Sequence, residues 1–197
     1  MLRFAYFDDF SPLSFIDLAS SSAVGILPDL VSMLLGPLGI AAEHAGYPWA
    51  RSQELVQDGY ADAFCTSPTP RRLQYAVFTD VPVLVTKLAI FYRLDNPRRP
   101  QIEAIRGLGD LSYFLRGDYL GNWHPDDPPC LTQPTMAVNI EQVFTMLAAG
   151  RIDLFLGQVL VGQQILRLLR LQRTIASFVL DLGKRDFLRA LTPSFGV

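Results

Sequence analysis

Two stretches of this chain follow one pattern. The first is PWARSQELVQDGYADAFC, from Pro48 to Cys65; the second is NIEQVFTMLAAGRIDLFL, from Asn139 to Leu156. In each, apolar residues recur at three and four, as on one face of a helix. Gly-x-x-Asp then follows, and after it a short apolar run of strand character. Gly59 and Gly150 stand where a helix end favours a left-handed residue. Asp62 and Asp153 come three residues later. A helix-to-strand unit used twice predicts two similar α/β lobes with a ligand cleft between them.

The rest of the chain supports alternation of strands and helices. Leu2–Tyr6 reads as a strand. A helix with Pro28 at its first turn runs to about Leu35, and Gly36-Pro37 breaks it. Ile40–His44 and Ala61–Cys65 read as further strands, the second following a helix opened by Pro48. Tyr75–Val85 is extended and Thr86–Tyr92 is a strand. Asn96–Pro100 is a turn-rich basic loop. From Leu108 to Leu131 the periodicity fades, leaving loop with short strands near Tyr119–His124. Val138–Ala148 and Val159–Leu171 are helices, Ile152–Leu156 and Ile175–Leu180 strands, and a last strand falls near Ser194–Val197. Such alternation predicts mostly parallel sheets with crossover connections.

Composition narrows the functions open to the chain. Half of the 197 residues are hydrophobic, enough for substantial cores, and the net charge of −2 does not suit a nucleic-acid partner. No apolar run approaches the roughly 20 residues of a membrane helix. No export signal is visible at the N-terminus. Cys65 and Cys130 do not form a disulfide framework: Cys65 reads as a buried small hydrophobe, and Cys130 lies in a Pro-rich loop. With His44 and His124 as the only histidines, no metal-ligand spacing occurs, and no cofactor is expected. Gly-x-Ser-x-Gly and phosphate-binding glycine loops are absent.

GYADAF, TPRR (Thr69–Arg72) and YAVFTDVPV, in that order, resemble the first-lobe signature of periplasmic solute-binding proteins, nearest to the polar amino-acid-binding group of ABC importers. LRFAYFDDFSPLSFID resembles that family's first strand and loop, and VGILPDLVSMLLGPLGI its first helix and second strand. The resemblance covers residues 2–92 and returns at 139–165. It implies a two-lobed α/β fold whose lobes, each a mostly parallel sheet flanked by helices, are joined by two hinge crossovers. Residues 1–84 with 187–197 would form lobe one and 85–186 lobe two. It further implies a monomer in the periplasm, its export signal removed, that closes around a small acidic or zwitterionic ligand and serves an ABC permease. The chain stops about where the family adds a further strand-and-helix segment.

By resemblance, Arg72 grips the ligand carboxylate; a guanidinium fork matches two carboxylate oxygens and stays charged in a cleft. Thr66, Ser67 and Thr69 at the end of the third strand either contribute hydroxyls and backbone N–H groups or build the turn. Phe7, Phe10 and Trp49 either line the cleft or pack in the core, while Asp8 and Asp9 are solvated or one of them meets a ligand cation. In lobe two the family places an Asp, for the ligand ammonium, where this chain has Gln158, which cannot neutralise that charge; a ligand other than an ordinary α-amino acid is then open. Gly121-Asn122-Trp123-His124 replaces the family's Gly-Thr turn, with Trp123 and His124 as pocket wall or surface loop. Two other functions share the fold: a ligand-sensing module, and a dehydratase acting on a cyclic carboxylic acid, with His124 beside Asp126 or Asp127 as acid.

Overall fold

The computed structural model describes residues 1–123, 132–181 and 187–193. The chain divides into two compact units, Met1–Val85 with Phe187–Val197, and Thr86–Asp186.

In the first unit β1 (Leu2–Phe7) leads through the short strands β2 (Asp9–Phe10), β3 (Ser14–Ile16) and β4 (Ala23–Val24) to α1 (Ile26–Leu35). There follow β5 (Ala42–Tyr47), α2 (Trp49–Gln57), β6 (Cys65–Thr66), β7 (Ala76–Phe78) and β8 (Leu84–Val85). β1 pairs in parallel with β5, Leu2 opposite Ala42, and bridges in parallel to Ala63 on its other side. This β–α–β–α–β core buries Phe4, Ala5 and Tyr6 of β1, Leu27 and Val31 of α1, and Leu55 and Val56 of α2. α1 begins two residues before Pro28, and α2 uses Pro48 as its N-cap, not as its first helical residue.

The second unit holds β9 (Leu88–Arg93), α3 (Arg99–Glu103), β10 (Arg116–Tyr119), β11 (Thr135–Ala137), α4 (Ile140–Ala148), β12 (Leu154–Gln158), α5 (Val159–Leu168) and β13 (Ile175–Val179). Its sheet runs β11-β10-β12-β9-β13. β10 is parallel to β11 and β12, whereas β9 runs antiparallel to β12 and β13. The parallel core expected from the sequence is thus extended by an antiparallel strand. α3 occupies part of the expected basic loop. Phe91, Phe144 and Phe155 meet at centroid distances of 5.1–6.2 Å and are buried, as are Leu147 and Leu154. α4 starts on Asn139, whose side chain accepts from Gln142 N, while Gln142 Oε1 accepts from Val138 N at 2.8 Å.

β14 (Phe187–Pro193) returns to the first unit and runs antiparallel to β6, β7 and β8. The sequence reading missed it; the strand expected near Ser194–Val197 lies outside the described residues.

The repeated pattern performs one task in both units. Gly59 and Gly150 take φ of 77° and 67°, and their amides return to Val56 and Leu147. Three residues on, each aspartate clamps a neighbouring strand at two points. Asp62 N donates to Arg3 O at 2.8 Å while Arg3 N donates to Asp62 Oδ2 at 2.7 Å. Asp153 N donates to Leu115 O at 2.7 Å while Leu115 N donates to Asp153 Oδ2 at 3.0 Å. An arginine stands by each carboxylate, Arg3 at 3.1 Å and Arg98 at 3.1 Å.

The side-chain and backbone bonds from Arg3 hold the Asp62 carboxyl below its ordinary range. The unfolded chain therefore binds its proton first as pH falls, so this stability is complete above the ordinary carboxylate range and is lost as pH drops through the folded value. Asp62→Ala and Asp153→Ala are each expected to cost about 1–3 kcal/mol in urea unfolding, the range for bonds to a charged acceptor, and Asp62→Ala to flatten the acid limb of stability. His44 offers a second titration. Its ring lies between Tyr6 Oη (3.0 Å) and Ser32 Oγ (2.9 Å), and burial lowers it from 6.5. Stability from this group is whole above about pH 6.5 and declines as pH falls toward the folded value, a step that His44→Gln should remove from melting curves.

Candidate functional site

Because β1 and β5 are parallel, and Ala63 just before β6 bridges in parallel to β1, their carboxyl ends share one edge of the first unit's sheet. Ligands of open α/β sheets meet that edge. It carries Phe7, Tyr47, Trp49 and Thr66, and the turn that follows carries Ser67, Thr69 and Arg72.

Arg72 is buried, with 7% of its surface exposed. Its guanidinium carbon lies 5.1 Å from the centroid of the Trp49 ring. Nε–H donates to Gln53 Oε1 at 3.1 Å and Nη1–H to the Ser67 carbonyl at 3.0 Å. Its own amide donates to Thr69 Oγ1 at 3.2 Å. Gln53 and Ser67, both neutral, orient the fork. Arg72, Ser67, Thr69 and Trp49 are thus assembled, Thr69 as a turn builder and Ser67 through its backbone. Thr66 is buried and pairs with Arg189 of β14.

The aromatic residues form a chain. Phe10 and Phe7 lie 5.5 Å apart, Phe7 and Trp49 6.1 Å, Trp49 and Phe64 5.8 Å, and Phe64 and Tyr75 6.3 Å. Phe7 and Trp49 are buried and Phe10 is half-buried, so Phe7 serves the core and Trp49 serves both core and arginine. Asp8 is not fully solvated: burial raises its carboxyl above the ordinary value. The Tyr75 hydroxyl is buried without a hydrogen-bond partner among the described residues, and burial pushes it up against the opposing pull of Arg72 and Arg71.

Gln53 was not anticipated. It lies one turn beyond Trp49, beside buried Ser52, whose hydroxyl donates to Tyr6 O at 2.8 Å. Its signal was present: a polar residue on the apolar stripe of α2, where an unpaired amide would be costly.

In the second unit, Gln158 ends β12 and its Oε1 accepts from the buried Thr86 hydroxyl. The parallel pairing of β10 with β12 brings Leu120–Trp123 to the same edge. The Trp123 indole N–H is buried with no partner among the described residues. His124, Asp126, Asp127 and Cys130 lie outside the described residues. Cys65 is a buried free thiol, which burial raises to about 12. No group of three His, Cys, Asp or Glu side chains able to hold a metal occurs among the described residues. Nor is any helix among them long and apolar enough to cross a membrane.

No family model and no curated protein matches the chain. Solved structures do. A histidine kinase sensor domain with similarity to periplasmic binding proteins superposes with a TM-score of 0.77 at 18% identity, covering 99% of this chain and 83% of that one. The fold is that of the periplasmic binding proteins. The arginine-bound form of truncated ArgBP from T. maritima gives a TM-score of 0.74 at 16% identity, over 98% of this chain and 88% of that one. A substrate-binding protein of an ABC uptake transporter from Streptococcus pneumoniae, with bound histidine, gives 0.72 at 14%, over 97% and 78%. Of these three neighbours two are binding proteins and one is a sensor domain.

Replacing Gln53 by Leu would strip the acceptor from the buried Nε–H of Arg72. A loss of about 1–3 kcal/mol in denaturant unfolding is expected, the range for a buried donor left unpaired, with an unchanged far-ultraviolet circular dichroism spectrum.

Proposed function

We propose that this protein is an extracytoplasmic solute-binding protein that captures a small carboxylate-bearing ligand at Arg72. One observation carries the reading: a buried guanidinium, laid on the Trp49 indole at the ligand-facing edge of a parallel sheet and oriented by neutral groups. Desolvation strengthens attraction for an anion there, and the fixed fork favours the planar, two-oxygen geometry of a carboxylate. Trp49 offers the ligand no charge, and the half-buried Phe10 supplies apolar surface nearby. The role is binding without turnover. The structural neighbours, one bound to arginine and one, from an ABC uptake transporter, bound to histidine, support a periplasmic location and an importer as partner. A second reading, a sensing module of a signalling system, draws on the sensor-domain neighbour.

The test is thermal melting against amino acids, dicarboxylates and cyclic carboxylic acids, since a ligand of the folded state raises Tm by mass action. A shift with one acid class is expected, weakened at least about tenfold in affinity by Arg72→Lys, which keeps the charge and removes the fork. Arg72→Lys is preferred to Arg72→Ala because the side chain also secures Gln53 and Ser67. Binding unchanged in Arg72→Lys would overturn the assignment. Stimulation of a permease ATPase by the loaded protein would support import; a response confined to a kinase would support sensing.

A further inference from the structure

The chain is acidic overall, with a net charge of −2, yet one end of the second unit is rich in arginine. β12 and β13 both run antiparallel to β9, with Leu154 opposite Tyr92 and Ile175 opposite Arg93. The starts of β12 and β13 and the finish of β9 therefore share one edge of the sheet, opposite the edge where β12 ends on Gln158. α4 leads into β12 and α5 into β13, so both helices bring their carboxyl ends to that edge. Arg151 follows α4, Arg167 lies in the last turn of α5, and Arg170 and Arg173 follow it; all four are exposed.

The neighbouring arginines have acid partners: Arg93 with Asp95, Arg98 with Asp153 and Arg99 with Glu103. The Asp110 carboxylate accepts from the amides of Arg106 and Gly107. Among the described residues no ion pair involves Arg151, Arg167, Arg170 or Arg173. A cation near a helix carboxyl end offsets the helix dipole, which accounts for Arg167. It does not account for Arg170. α4 and α5 finish alike: Arg151 N returns to Met146 O and Leu171 N to Leu166 O, each around a left-handed residue. In α4 that residue is Gly150, at φ 67°; in α5 it is Arg170, at φ 56°. The position favours glycine or asparagine. An arginine held there carries backbone strain, and strain of this kind points to a use for the side chain.

Apolar groups share the surface. Leu168, between Arg167 and Arg170, is 61% exposed, Tyr113 75% and Leu115 51%. The Tyr113 carbonyl accepts from Arg98 Nη2 and the Leu115 carbonyl from Asp153 N, which sets both residues at this end. Guanidinium forks match phosphate oxygens. Leucine and tyrosine beside them suit the boundary between headgroups and acyl chains. An acidic protein surface would answer the charges and leave the apolar groups unmatched. We propose that this end of the second unit docks on an anionic phospholipid bilayer through Arg151, Arg167, Arg170 and Arg173. The inference is independent of the role given to Arg72.

The experiment is flotation of the full chain with phosphatidylcholine vesicles, without phosphatidylglycerol and with it at about one lipid in three. Binding is expected only with the anionic lipid, and should fall sharply near 1 M salt, where the Debye length shrinks to about 3 Å. Arg151→Ser, Arg170→Gly and Arg173→Ser combined should weaken binding on the order of a hundredfold, at about fivefold per arginine. Arg170→Gly alone should lower lipid affinity about fivefold while keeping or raising Tm, because glycine takes the left-handed position without strain. That opposition of signs separates a docking role from a structural one, and the single variant decides if the triple one fails to fold. Equal binding to neutral vesicles, or unchanged binding in Arg170→Gly and the triple variant, would overturn the inference. So would capture of a polyglutamate peptide with no binding to vesicles, which would assign the surface to an acidic protein instead.

Discussion

A carboxylate that grips an amide at the start of a neighbouring parallel strand, while its own amide returns to the same residue, sets the geometry of both units. Asp62 does this to Arg3 and Asp153 to Leu115. The clamp sits where a helix has just ended on a left-handed glycine, so it ties helix end, strand start and strand register in one place. Register matters because a slip of one residue would turn every side chain to the opposite face. The strand that begins at each clamp finishes at the candidate site, at Cys65–Thr66 in one unit and Gln158 in the other. Placement of the candidate groups thus descends from two aspartates at the starts of those strands.

At Arg72, the proposed carboxylate site, the surroundings would bear on binding more than the residue alone does. A guanidinium removed from water is costly, and Gln53, Ser67 and Trp49 recover hydrogen bonds and a cation–π contact. Such a group is ordered before ligand arrives. Less side-chain freedom remains to be lost on binding, which is how preorganisation improves affinity.

Much of this was legible in the sequence, for identifiable reasons. The glycines of the repeat were readable because a left-handed helix end has few residue choices. Helix starts were less legible: Pro48 caps α2, and the Asn139–Gln142 exchange delays α4 to Ile140. β14 escaped because its pairings with β6, β7 and β8 are non-local and leave no periodic mark. Gln53 and Thr86 escaped because each is polar in an apolar context and gains meaning only through a partner distant in sequence, Arg72 for one and Gln158 for the other. The aromatic residues stood between core and cleft on sequence alone; Phe7 is buried, its ring stacked on Phe10 and tilted against Trp49.

β14 also has a consequence for the order of events during synthesis. The second unit is contiguous, from Thr86 to Asp186, whereas the first needs the pairings of Ala190 with Cys65 and of Leu191 with Phe78. A ribosome releases the N-terminal residues first, yet their sheet stays unfinished until the last strand emerges. The unit begun second can therefore complete its core first. Until then the strand edges of the older unit lie open, the kind of surface on which chaperones act and aggregation begins.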